Sequence, residues 1–476
     1  MKRLLMLLAG LCVPTLLLAG TIHVSPTGDD RAEGTKNAPL RTPHAALKMA
    51  REWRRTADER TAGGIEIRFA AGRYTLDRTI YLRPEDSGTE HSPTTLMADE
   101  GAEGKVFIVG STPLKDWTKE GNCWVTDAPK RHGRPILTRQ LWGFGGKLFR
   151  ANEFGEGKMQ RIIAFDTQNR TITIPKPTIK GLERAEGLEM MVHQRWATAI
   201  LRVKEMRYEG DKAVVSFLEP ESYLEFEHPW PQPVIGEERG NSSYMLMNAR
   251  ELLNEDYEWW QEGATGKIYL YAKDPAIDPN KTTVYIPHME RLMTIEGAPK
   301  KAVEYITFRG LTFADTAWNR PSEAGHVTLQ GGFPFIDGYK LYDKPGFAWD
   351  ENLENQAWLL RPEAAVSVVN ARHIAFDGCS FVALGSTGLD LATNVHHSAV
   401  TACTFRNIGG TALLAGSFGE GPTEVHMPYN AIGSEEGFCS YLTLADNRIT
   451  NCTREDWGAV GIGCGYVHDV TITRNL

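Results

Sequence analysis

Short runs of alternating apolar and polar residues recur through the last third of the chain, and five of them superpose: YITFRGLTF (305–313), HIAFDGCSF (373–381), HSAVTACTF (397–405), SYLTLADNRI (440–449) and DVTITRNL (469–476). Alternation with period two marks a strand, because successive side chains leave opposite faces of the backbone. The runs reach a small or amide residue, with Cys379, Cys403, Asn447 and Asn475 in register at intervals of 24, 44 and 28 residues. Strands at that spacing, without long amphipathic helices between them, predict parallel coils of roughly 22–28 residues stacked about 4.8 Å apart. The longer interval holds an extra loop. Ile374, Phe376, Val400 and Leu444 are then inward residues piled on their equivalents. The cysteines stack as small hydrophobes and the asparagines through side-chain hydrogen bonds.

The same alternation, punctuated by glycine, returns near the start in GGIEIRFAAGRYTLDRTIYL (63–82) and TTLMADEGAEGKVFIVGS (94–111). Before it, RTPHAALKMAREWRR (41–55) predicts a helix with Thr42 as N-cap, Pro43 in the first turn, and Ala46, Leu47, Met49 and Trp53 close to one face. Such a helix would cap the open end of a stack of coils and its exposed strand edges.

Between 112 and 282 the repeat vanishes. Trp117, Trp124, Trp142, Trp196, Trp230, Trp259 and Trp260 gather here, and AVVSFLE (213–219) and KIYLYAK (267–273) read as antiparallel strands. The pattern predicts an inserted β-rich domain whose tryptophans serve packing before sugar contact. TVYIPHMERLMTIEG (283–297) then leads back to the coils. The fold class that follows is all-β: a right-handed parallel β-helix with an N-terminal capping helix and an inserted antiparallel domain. Its divisions are 1–20, 21–111, 112–282 and 283–476, the last interrupted by a long loop at 314–362.

The first residues change the picture of where this fold works. Lys2 and Arg3 precede an apolar run from Leu4 to Leu18 and a small-residue exit at Ala19-Gly20, which is the pattern of a secretory signal peptide. The run is shorter than the roughly 20 residues a membrane span needs. A periplasmic or secreted protein is expected. Loss of Lys2 and Arg3 takes the net charge from −8 to −10, a balance that argues against nucleic acid and anionic lipid as partners. The remaining cysteines, Cys123, Cys379, Cys403, Cys439, Cys452 and Cys464, lack metal-binding spacing, and His396-His397 are adjacent and poorly placed to clamp one ion. No metal or cofactor is expected.

The stretches RGLTFADTAWNRPSEAGHVTLQGGF (309–333), KLYDKPGFAWDENLENQAWLLRPEAAVSVVNARHIAFDGCSF (340–381), GSTGLDLATN (385–394) and EDWGAVGIGCGY (455–466) are similar to secreted bacterial β-helix proteins related to glycoside hydrolase family 141. The tryptophan-rich segment resembles the insertion domain those proteins carry. The resemblance implies cleavage of plant cell-wall glycans, with fucosidase and xylanase activities in the family, by two carboxylates flanking the glycosidic bond. It also implies that the catalytic acids sit on coils after DVTITRN. The chain stops at Leu476, in the middle of a strand-turn unit, and is expected to be a fragment or a naturally truncated protein.

Within the chain, Glu455, Asp456 and Trp457 form the best local constellation: two acids beside an aromatic can hold a sugar by hydrogen bonds and stacking. As a catalytic pair, Glu455 and Asp456 are weak candidates, since neighbours in sequence tend to point apart. The long loop contributes Trp318, Trp349, Asp350, Glu351, Glu354 and Trp358 as a wall of a substrate cleft, with packing the competing role for each. His326 and His426 are loop residues that could donate to sugar hydroxyls. Two other functions compete with hydrolysis. One is a non-catalytic glycan-binding or surface protein that uses the aromatic loop. The other is a pectin lyase or polygalacturonase, although the Asn-Thr-Asp and Gly-His-Gly segments of polygalacturonases are missing and no compact acid cluster has an evident basic partner.

Overall fold

The computed structural model describes residues 18–155, 158–227, 232–337, 358–417 and 437–476. Residues 1–17 of the expected signal peptide lie outside these, as do Trp230, Trp349, Asp350, Glu351, Glu354 and His426. The protein is all-β, with two parallel sheets that run the length of the repeat region. One has 13 strands. In it Gly20–Val24 pairs with Ile65–Phe69, which pairs in turn with Thr94–Ala98, Val303–Arg309 and Ala364–Asp377. The other has six, from Gly72–Thr75 and Val106–Val109 through Thr312–Ala314 and Ser380–Leu384 to Thr404–Ile408 and Arg448–Thr450.

Register explains why these strands stack. Phe308 lies opposite Phe376, Phe376 opposite Val400, Val400 opposite Leu444, and Leu444 opposite Ile472. The first four are buried. Phe308 and Phe376 stack at 4.7 Å, and Phe313, Phe381 and Phe405 continue a second column at 5.3 and 4.7 Å. Each ring meets the same ring one rung on, so burial is shared along the stack. The Cys and Asn positions of the repeat form a turn ladder. The Cys403 amide donates to Asn447 Oδ1 at 2.9 Å, and the Asn447 amide donates to Asn475 Oδ1 at 3.0 Å.

The helix Pro43–Arg55 starts where expected, with Thr42 Oγ1 accepting from the Ala45 amide, and it lays Ala46, Leu47, Ala50 and Trp53 on the first strands. Among the described residues no helix is long and apolar enough to cross a membrane.

The chain leaves the coils through Ser111–Pro113 and returns through Tyr285–Pro287, and these two strands pair antiparallel with each other. Between them lie a sheet of five strands and seven strands of a sheet of eight, antiparallel but for one short pair, Phe149–Arg150 with Glu258–Gln261. Because Val106–Val109 pairs directly with Thr312–Ala314, the stack of parallel strands is continuous across the inserted segment. Trp117, Trp142 and Trp259 are buried in this region, whereas Trp196 is 60% exposed. The early part of the long loop also packs here: Val327, Leu329, Phe333, Phe335 and Leu359 join the core of the eight-stranded sheet. His326 is therefore not a loop residue, since His326–Val327 is a short strand paired with Thr198–Glu209.

Candidate active site

Where the inserted region and the long loop meet the coils, the structure buries a concentration of charge. Arg139 and Glu189 form an ion pair in which both side chains are almost wholly enclosed. Arg150 approaches Glu189 at 3.6 Å, and Ser322 Oγ donates to it at 2.6 Å. Burial pushes the Glu189 carboxyl up, but Arg139 and Arg150 outweigh it and hold the group below its ordinary value. Burial also lowers Arg150 to about 10.

Beside this cluster runs the segment 454–457, anchored by the Glu455 and Asp456 amides, which both donate to the Gly409 carbonyl. Its two acids turn to different surroundings. Glu455 Oε1 meets Lys147 Nζ at 2.5 Å, in a cavity of about 150 Å³ shared with Arg150, Met191, Met245 and Trp457. Asp456 Oδ2 meets His326 Nε2 at 3.0 Å, and its Oδ1 accepts from the Gly458 amide at 3.1 Å. Both carboxylates are about 5% exposed or less. Burial lowers the pKa of Lys147 and of His326, against the opposing pull of their acids. Trp457 is half-buried, with the His193 ring edge-on at 5.3 Å.

Asp456 and His326 line a second, larger cavity, of about 260 Å³. Its walls come from the long loop and the residue after it (Trp318, Arg320, Glu323, Gly332, Pro334, Leu360 to Glu363) and from the coils (Ser386, Thr387, Gly410, Thr411, Ala459), with Glu290 from the bend that follows the returning strand. Trp318 is buried, its amide donating to Gln140 Oε1 at 2.6 Å, and its ring stands edge-to-face with His326 at 4.6 Å. Arg361 donates to both oxygens of Asp390 at 2.6 Å. Glu290 is a half-buried carboxyl in this wall. Burial raises its pKa, the nearby Glu363 and Glu323 raise it further, and the Asn319 amide, donating to Oε1 at 2.6 Å, only partly offsets them. Among the described residues no group of three or more His, Cys, Asp and Glu side chains is placed to hold a metal ion.

The model of the GH141 insertion domain matches residues 121–273, within the inserted region. A solved structure described as a glycoside hydrolase superposes with a TM-score of 0.90 at 40% identity, covering 95% of this chain and 77% of its own. The chain belongs to the glycoside hydrolases. Two other solved structures align with this glycoside hydrolase at lower similarity. XylC in complex with xylose does so at TM-score 0.42 and 15% identity, over 96% of this chain and 58% of its own. A GH136 lacto-N-biosidase from Eubacterium ramulus does so at TM-score 0.36 and 9% identity, over 96% and 51%. No curated protein matches the chain.

Of the residues singled out in the sequence, the structure brings together Trp318, Asp456 and His326 around the larger cavity, and Glu455 and Trp457 around the smaller. Trp358 lies in the short strand Trp358–Leu359. Sequence reasoning missed Glu290, Arg320, Arg361 and Lys147. Glu290 sits in PHMERLMTIEG, read only as a return to the coils, and Lys147 in a glycine-rich segment without periodicity. No local signal marks either of them.

Proposed function

We propose that this glycosidase acts on plant cell-wall glycans, in the manner of a fucosidase or xylanase, through a pair of carboxylates, and that the larger cavity receives the sugar. In this reading the parallel strands wind as a right-handed β-helix, and the protein works after export, in the periplasm or outside the cell. The observation that carries it is Glu290, a carboxyl that lines the cavity with Asp456 and whose pKa burial and two neighbouring acids raise. Glu290 takes the part of the acid that protonates the leaving oxygen. Asp456, fixed by His326 and the Gly458 amide, takes the part of the second carboxylate.

The test is a panel of aryl fucosides, aryl xylosides and plant-wall oligosaccharides. Cleavage of at least one is expected. Glu290→Gln should lower kcat on natural glycosides by about 10²–10⁴-fold, while aryl glycosides with good leaving groups, which need no proton, are spared. The alkaline limb of the rate profile should go with Glu290. Binding of the oligosaccharides without turnover would instead favour a glycan-binding protein.

A further inference from the structure

The buried arginines around the site end on carboxylates. Arg139 and Arg150 meet Glu189, Arg202 grips Glu221 with 2.7 and 2.8 Å bonds, and Arg361 grips Asp390. Arg320 does not. It opens the short helix Arg320–Ala324, lies half-buried in the wall of the larger cavity, and has no carboxylate within ion-pairing distance among the described residues. Its Nε reaches no hydrogen-bond partner, and Nη2 makes a single long contact, 3.4 Å, with the Phe335 carbonyl.

The nearby acids do not complete it. Glu221 is committed to Arg202, and Glu290, which accepts from the Asn319 amide at 2.6 Å, makes no ion pair with Arg320. A guanidinium offers five donors in a planar fork matched to a carboxylate, and a half-buried charge with one weak contact is costly unless something completes it.

We propose that Arg320 binds a carboxylate of the substrate, so that the glycan taken by this cavity carries a hexuronic acid unit. This rests on the glycosidase reading above and narrows it: the acid group, not the neutral sugar alone, selects the substrate. Arg320 is a specificity residue here, separate from the groups that move protons.

The experiment compares two ligands, a xylo-oligosaccharide with a glucuronic acid branch and an oligogalacturonide, each with its carboxyl-reduced form, by calorimetry on the full chain. At least one acidic ligand should bind about ten- to a hundredfold more tightly than its reduced form. Arg320→Gln should abolish that preference without weakening binding of the reduced form, and Arg320→Lys should keep part of it. Added salt should erode the preference in the wild type, which tests the charge without any substitution. Equal binding of acidic and reduced forms by the wild type, or a preference that survives in Arg320→Gln, overturns the proposal. If neutral aryl glycosides are still cleaved, the glycosidase reading stands without it. If nothing is bound or cleaved, both fall.

Discussion

The parallel coils and the inserted region bury different things. In the coils the interior is a column of like on like: Phe308 on Phe376, Phe381 on Phe405, Val400 opposite Leu444. The inserted region has its own apolar cores but also encloses Arg139, Glu189, Glu221, Glu225 and Glu258. Apolar stacking repeats from rung to rung and needs no particular partner. Buried charge needs one specific partner at one specific place, so the inserted region is committed to a single internal arrangement. The smaller cavity is lined partly by the inserted region, through Lys147, Arg150 and Met191, whereas the larger is lined by the long loop, the coils and Glu290.

Breaking the charged side should have the largest effect. Arg139→Met leaves Glu189 buried with the Ser322 hydrogen bond and only the longer ionic contact to Arg150, and should cost about 3–5 kcal/mol in denaturant unfolding. The double change Arg139→Met, Glu189→Leu should recover most of that loss; failure to recover would mean that packing and not charge holds this part of the inserted region. Leu444→Ala, in the middle of a column, should cost about 3 kcal/mol by cavity formation. Asn447→Ala removes the ladder bonds to Cys403 and Asn475 and should cost about 1–3 kcal/mol, mostly through the unpaired amides.

A pH series separates the regions in another way. Burial raises Glu225 in the inserted region to about 8, from 4.5. Its folded form therefore binds a proton that the unfolded form has lost, and it lowers stability progressively as pH rises from about 4.5 to 8. Glu225→Gln should flatten the fall in Tm across that window and leave the acid side unchanged. The smallest effect is expected at the cap, where Thr42→Ala should cost about 1 kcal/mol.

The same division decided what could be read in advance. Coil strands announce themselves because Ile374, Phe376 and Cys379 stand in register with residues one repeat away, so local alternation and global packing agree. The helix at Pro43–Arg55 was legible for a similar reason, since its cap and its apolar face lie within one short segment. The site was far less legible. His326 and Asp456 are 130 residues apart, Lys147 and Glu455 more than 300, and nothing near any of the four names its partner. Glu455, Asp456 and Trp457 stood out only as acids beside an aromatic. That clue singled out the segment but could not show that its two acids line different cavities. Trp349, Asp350, Glu351 and His426 fall outside the described residues.

The inserted region departs and returns through two strands hydrogen-bonded to each other, Ser111–Pro113 and Tyr285–Pro287, while the coil strands on either side pair as if nothing came between them. Those strands work as a socket. An insert of another length or shape, ending in the same pair, could be seated there without altering the rise or register of the coils. One supporting column could thus carry different walls, with the Lys147–Glu455 pair at the junction to be matched anew.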